Sequence, residues 1–288
     1  MPVWKQILLN FYYYGSYPIR WWNLRQAVAD DGVPLIVLMY HRIADDRAND
    51  WTVSHRMFFR QIGWLQKHFE MISLEEVRRR VGRKANHRPC ASITFDDGYA
   101  ENCRQAIPFL IKERIPCTYF VTLQNVLYEE PFTHDLVMGN SFRPNSPEQI
   151  KAMAAAGVEI GSHAYTHADL AAIKDRRLLR YEITASRKDL QEMIDRPVRY
   201  FAFPFGQREN LSAEAFETAK AAGYEAVCSA YGGLNFPGDA PFHLQRIATN
   251  NDLIGLKNWV TGDPRKLHTR RFEHRNLPAE HQLASARQ

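Results

Sequence analysis

Along this chain seven short apolar runs suited to buried strands alternate with six stretches of helical periodicity, and this alternation leaves few folds open. Residues 33–41 (VPLIVLMYH) are continuously apolar, as a strand covered on both faces must be. Residues 54–69 then carry Met57, Phe58, Ile62, Leu65 and Phe69 at helical spacing behind Ser54 as N-cap. The same reading gives strands at 91–96, 117–123, 158–162, 200–204 and 225–229, and a short one near 244–248. Between them lie helices at 101–115, kinked at Pro108, at 147–156 before Gly157, at 178–194, and at 213–222 before Gly223; a last helix covers about 253–259. Such a pattern predicts a parallel α/β sheet or barrel, with ligands gathered at the C-terminal ends of the strands.

With 288 residues, no internal repeat and no Ser/Gly/Pro-rich linker, one domain is expected over 33–261. It is flanked by an aromatic segment at 1–32 and a basic, solvated tail at 262–288. The segment 128–146 is the longest irregular stretch and is expected to be a lid or a substrate-binding loop.

Charge argues against a nucleic-acid partner, with the basic tail read as a solvated end or, alternatively, as a phosphate-binding arm. The net charge is +5, yet residues 265–288 hold six Lys or Arg against two Glu, so the body is nearly neutral. A groove tracking nucleic acid needs its cations on the folded body, and none is expected here. The cysteines Cys90, Cys103, Cys117 and Cys228 fall in no C-x-x-C pattern, which predicts reduced, packed thiols. No secretory signal and no run of 18 apolar residues is readable, so a cytoplasmic site or a peripheral one at a membrane is expected. Residues 1–29 interleave Trp4, Phe11, Tyr12, Tyr13, Tyr14, Tyr17, Trp21 and Trp22 with Lys5, Arg20 and Arg25. They read either as a strap that buries its rings across the domain or as a segment at a membrane surface.

Chemistry concentrates at three strand ends. Thr94-Phe95-Asp96-Asp97-Gly98 puts two acids where a strand stops. Successive strand side chains face opposite ways, but a turn at Gly98 can bring both carboxylates to one mouth. An Asp-Gly turn with one acid capping the next helix is the other reading. His163 and His167 stand four residues apart after the strand at 158–162, a spacing that turns both imidazoles to one side. With Asp97 they make two nitrogen donors and one oxygen donor, the pattern of a catalytic zinc site with an open position.

TFDDG at 94–98, H-x-x-x-H at 163–167 and RYFAFPFG at 199–206, in this order, resemble the first three motifs of the polysaccharide deacetylases, the NodB-homology or carbohydrate esterase family 4 proteins. The resemblance covers about 33–261 and implies a distorted (β/α) barrel of about seven strands. It also implies a metal-dependent hydrolase that removes N-acetyl groups from amino sugars of a polysaccharide or its lipid-linked precursor. On that likeness Asp97, His163 and His167 hold one divalent ion, zinc in first place and cobalt, nickel, manganese or iron as alternatives. Asp96 is the general base and the Phe205 N–H the oxyanion donor, while Tyr99 and Pro204 bind substrate or support the site. The roles suit an amide, whose hydrolysis needs a Lewis acid, a deprotonated water and a proton for the departing amine.

The pattern departs from the family in three places. Ala164 stands where a bracing Ser or Thr is common, Ala202 where an Arg that holds the base is common, and the Leu-x-His motif that supplies the acid is missing. Tyr40-His41, ending the first strand, resembles the branch acting on exported poly-N-acetylglucosamine and related exopolysaccharides, and makes His41 the expected proton donor, the other reading being a histidine that caps the strand or orients another ligand. His243 and Arg246 in FHLQRI are the closest C-terminal candidates for the missing motif; Arg246 is the expected replacement partner of Asp96, and His243 is otherwise read as supporting the site. His134 and Asp135 are read as groove residues or as ordinary loop polarity. A non-catalytic carbohydrate-binding relative is the alternative motivated by the lost Arg and acid. An iron oxygenase, which also uses two His and a carboxylate, fits the α/β order of the motifs less well.

Overall fold

The barrel strands are Leu35–Tyr40 (β1), Cys90–Phe95 (β2), Cys117–Val121 (β3), Glu159–Ser162 (β4), Tyr200–Ala202 (β5), Ala226–Ser229 (β6), His243–Gln245 (β7) and Ile247–Ala248 (β8). They are seen in a computed structural model that describes residues 3–83, 85–263 and 271–272. Neighbours run parallel in the order β7, β6, β5, β4, β3, β2, β1, β8, and the short strand Glu70–Met71 lies beside the start of β2. The predicted strand near 244–248 is split at Arg246. Its first half pairs with β6, His243 opposite Val227, and its second half with β1, Ile247 opposite Leu38. One segment thus joins the two ends of the sheet and nearly closes it. This is the distorted (β/α) barrel expected from the sequence, in a single domain.

The continuous apolar strands are explained by burial on both sides. Leu35 and Val37 of β1, Phe120 of β3 and Cys228 of β6 pack in one cluster, and the alternate residues Ile36, Leu38, Phe95, Tyr119 and Val121 join a larger one beneath the helices. The helix Leu74–Gly82 adds Leu74, Val77 and Val81 to the first cluster. The interior is therefore a packed core, and chemistry is confined to the strand ends.

Several local expectations are corrected. Pro108 lies in the first turn of the helix Ala106–Lys112, where a missing N–H costs little, and residues 100–103 form a separate 3-10 turn. The predicted kink is a break. Residues 176–194 stay helical, but Tyr181–Ala185 widens to a π-helical turn. Residues 1–29 form two helices, Val3–Gly15 (α1) and Tyr17–Ala29 (α2), and of the eight rings named there only that of Tyr13 is buried. The basic tail lies mostly outside the described residues. Of it, Asp263 is buried, Arg271 pairs with Asp239, and Phe272 stacks on Phe216 with ring centroids 5.5 Å apart. Arg271 and Phe272 are half-buried against the barrel.

Candidate active site

Strand parity aims Asp96 inward. Cys90 opens β2 in the interior cluster, so Thr94 and Asp96 share its side. Arg246, at the break between β7 and β8, meets them both: Nη1 donates to Asp96 Oδ1 at 2.6 Å and Nη2 to Oδ2 at 2.8 Å, and Nη1 also reaches Thr94 Oγ1 at 3.2 Å. The pair is fully buried. Burial opposes the Asp96 charge, but the paired Arg246 guanidinium outweighs burial and holds the carboxyl below its usual range. Asp96 thus has a paired arginine although position 202 is Ala.

Parity alone would turn Asp97 away. Its backbone takes a left-handed φ of 71° and Gly98 one of 102°, so the chain reverses at the strand tip and both carboxylates share the mouth. Thr122 N fixes the turn by donating to Asp97 O at 3.0 Å. Asp97 Oδ1 then lies 3.5 Å from His163 Nε2 and 3.3 Å from His167 Nε2. His163 Nδ1 is 2.8 Å from the Ala202 carbonyl, which can only accept, so Nδ1 carries the proton and the neutral ring turns the Nε2 lone pair toward Asp97. Burial pushes the His163 imidazole down to about 4, which keeps it neutral. Burial also opposes the Asp97 charge, yet contact with His167 and the nearby imidazoles of His41 and His134 hold its carboxyl well below the usual range.

These atoms fit a cation. Asp97 Oδ1 is buried and receives no hydrogen bond among the described residues, while facing a lone pair of His163. Acceptor against acceptor in a buried site repels unless a positive ion lies between them. The donor atoms of Asp97, His163 and His167 all lie within 4.8 Å of one another, and two nitrogens with one oxygen suit zinc or another first-row divalent ion.

The loop carrying both histidines is held from outside the motif. Ala164 and His167 each have a φ of 65°, and Ala164 has no hydroxyl with which to brace the loop. Glu182, in the π-helical turn and 1% exposed, accepts from Tyr165 N at 3.0 Å, Thr166 N at 2.9 Å and Thr166 Oγ1 at 2.7 Å. Nothing in the sequence motif pointed to Glu182. The only available signal was an acid beside the apolar positions Leu179, Ile183 and Leu190 of one helix.

The third strand end presents backbone. Pro204 is buried and its carbonyl accepts from Gly206 N at 2.6 Å, a tight turn that throws Phe205 to a φ of 58°. The Phe205 N–H donates to no described group, and its ring meets that of His167 with centroids 4.9 Å apart. His41 is half-buried at the end of β1, beside both Asp96 and Asp97. Tyr99 is buried; its hydroxyl donates to Asp135 Oδ2 at 2.6 Å and lies 3.1 Å from His134 Nε2. It supports the wall of the site and does not face solvent. His243 is not brought to the mouth. Parity with Leu244 turns it outward onto the Phe216 ring, where its Nε2 meets Ser229 Oγ at 2.9 Å.

The segment 128–146 folds over the site. It brings His134 Nε2 to 3.7 Å from Asp97 Oδ2, with the ring stacked on Phe132 and edge-on to Trp51. Trp51 stands between His134 and His41, its ring centroid 6.2 Å from that of His41. Trp51 was not singled out in the sequence, where it sits in a polar stretch without periodicity.

Residues 83–227 match the family model described as polysaccharide deacetylase. Among curated proteins the chain is 24% identical over 223 residues to YxkH of Bacillus subtilis (strain 168), put forward by its name as a polysaccharide deacetylase, covering 77% of this chain and 73% of that protein. It is 27% identical over 150 residues to the chitooligosaccharide deacetylase of Sinorhizobium fredii, covering 52% of this chain and 60% of that one. Among solved structures, IcaB from Ammonifex degensii superposes with a TM-score of 0.67 at 26% identity, over 80% of this chain and 97% of that one. The Streptococcus pyogenes deacetylase PplD, solved with acetate, shares the fold with a TM-score of 0.66 at 20% identity, over 79% of this chain and 98% of that one.

Proposed function

The chain belongs to the polysaccharide deacetylase family, and from that membership we propose a metal-dependent hydrolase that removes N-acetyl groups from amino sugars of a polysaccharide or its precursor. The observation that carries this reading is the meeting of Asp97, His163 and His167 beside a separately clamped Asp96. A divalent ion, zinc by its donors, would supply Lewis acidity toward the acetamide oxygen and acidify water at this site.

The chain's own groups divide the remaining work. Asp96, kept ionised and oriented by Arg246, takes a proton from the attacking water. The Phe205 N–H, aimed by the strained turn after Pro204, donates to the oxygen of the tetrahedral intermediate. His41 gives a proton to nitrogen as the C–N bond breaks, releasing acetate and the free amine. Trp51 and His134 form an aromatic rim on which a sugar face can stack. The reading of the chain as a non-catalytic binder drew on the arginine missing at Ala202, and Arg246 provides a guanidinium at the same carboxylate.

Four free thiols support a reducing compartment, and a lipid-linked glycan met on the cytoplasmic side of a membrane fits both these thiols and the aromatic helices at the N-terminus. Incubation with N-acetylglucosamine oligomers and added zinc or cobalt tests the reading. Acetate release that Asp96→Asn abolishes supports it; release unaffected by that change contradicts it.

A further inference from the structure

Helices α1 and α2 invert the usual amphipathic arrangement. An ordinary surface helix buries its apolar stripe and shows water its polar one. Here the stripe facing the barrel is attached by polar bonds. Tyr12 Oη donates to Asp263 Oδ1 at 2.7 Å, Arg20 Nη1 to Asn258 O at 3.1 Å, Arg20 Nη2 to Asn258 Oδ1 at 2.8 Å, and Asn258 Nδ2 to Leu9 O at 3.3 Å. The opposite stripe of α1 repeats at i, i+3, i+4 and i+7 with Trp4, Ile7, Leu8 and Phe11, exposed by 64, 50, 58 and 74%. On α2, Trp22 is 58% exposed. Of α2 only Arg20 is buried, and a cavity of about 660 Å³ lined by Tyr17, Trp21, Leu24, Ile36 and Phe236 lies between this helix and the barrel.

Charge and length select the occupant of this face. Residues 1–29 contain no Asp or Glu, and Lys5 and Arg25 are exposed, the latter over the Trp21 ring at 3.8 Å. A second copy of the same face would bring these cations together with no acid in either pair of helices to offset them. Anionic lipid headgroups offset them directly. Each helix has 13 residues, about 20 Å, short of the roughly 30 Å hydrocarbon core, and no described helix is long and apolar enough to cross a membrane. Tryptophan and tyrosine favour the boundary between headgroups and acyl chains.

We propose that α1 and α2 dock the protein on an anionic lipid surface, lying in its plane with the Trp4, Ile7, Leu8, Phe11 stripe in the acyl boundary and Lys5 and Arg25 at the phosphates. The proposal does not depend on deacetylation. Its test is co-sedimentation of the full chain with phosphatidylcholine vesicles, with and without about a third phosphatidylglycerol. Binding to the anionic vesicles at least about tenfold tighter than to the neutral ones is expected. Phe11→Asp with Trp22→Asp should abolish it, and Lys5→Glu with Arg25→Glu should bring it down to the neutral level, with melting temperatures unchanged because all four side chains are exposed. No sedimentation with either vesicle, or binding untouched by both double variants, overturns the proposal. So does a concentration-dependent dimer, seen by sedimentation velocity without lipid, that the same variants dissolve.

Discussion

Arg246 grips Asp96 through both guanidinium nitrogens, at 2.6 and 2.8 Å, from the single residue that separates the two halves of the closing strand. Closing the barrel and orienting Asp96, the proposed base, are therefore one structural event. Removing the guanidinium leaves a buried carboxylate uncompensated, which costs about 3–5 kcal/mol. Arg246→Ala is expected to lower the melting temperature markedly and to cut kcat by at least about a hundredfold. Arg246→Lys should restore most of the stability but little of the rate, because an ammonium cannot make the paired contact. Calorimetry beside acetate release separates the two; equal recovery of both by Lys would count against an orienting role.

Glu182 is expected to set metal affinity without touching a metal. It accepts three hydrogen bonds from the loop between His163 and His167. Supporting groups of this kind are typically worth 10–100-fold in metal affinity. Glu182→Gln should weaken zinc binding by about tenfold in competition with a chromogenic chelator, and should alter the visible spectrum of the cobalt-loaded protein. An unchanged affinity and spectrum would show that the loop holds itself.

His41 should matter for rate and not for metal. His41→Ala is expected to lower kcat by about 10²–10⁴ while leaving metal content at the wild-type level. If metal content falls with the rate, His41 belongs with the ligands instead.

The buried thiols give a prediction free of catalysis. Burial raises the Cys90 thiol to about 11 and those of Cys117 and Cys228 to about 12, so below these values each is protonated and unreactive. At pH 7.5 the native protein should take up at most one equivalent of iodoacetamide, at the half-buried Cys103, and four after unfolding. Mass spectrometry of the native adduct reads this directly; fast labelling of Cys117 or Cys228 would mean that the barrel opens.

What could be read in the sequence was what repeats or is local. Continuous apolar runs such as 33–41 reported burial on both faces, and the acids and histidines at 96, 97, 163 and 167 stood at strand ends by counting alone. The meeting of Arg246 with Asp96 was expected because an arginine near a strand end had a known vacancy to fill at Ala202. Contacts made across the fold by residues without a pattern were not readable. Glu182 acts from a π-helical turn that leaves no mark on helical periodicity, and Trp51 reaches the mouth from a segment whose polarity looks like that of any loop, whereas His134 was read as a groove residue or as loop polarity and lies at the mouth. His243 misled because its neighbour Arg246 is at the site, and strand parity turns the two residues to opposite sides.

Metal content measured by elemental analysis tests the central claim most directly, because it needs no knowledge of the substrate. After incubation with zinc and gel filtration, the wild-type protein is predicted to hold about one ion per chain, and Asp97→Ala, His163→Ala and His167→Ala to hold far less, with each variant still folded by circular dichroism. A wild-type protein that retains no ion, or variants that retain as much as wild type, would contradict the site formed by Asp97, His163 and His167 and with it the proposed hydrolase.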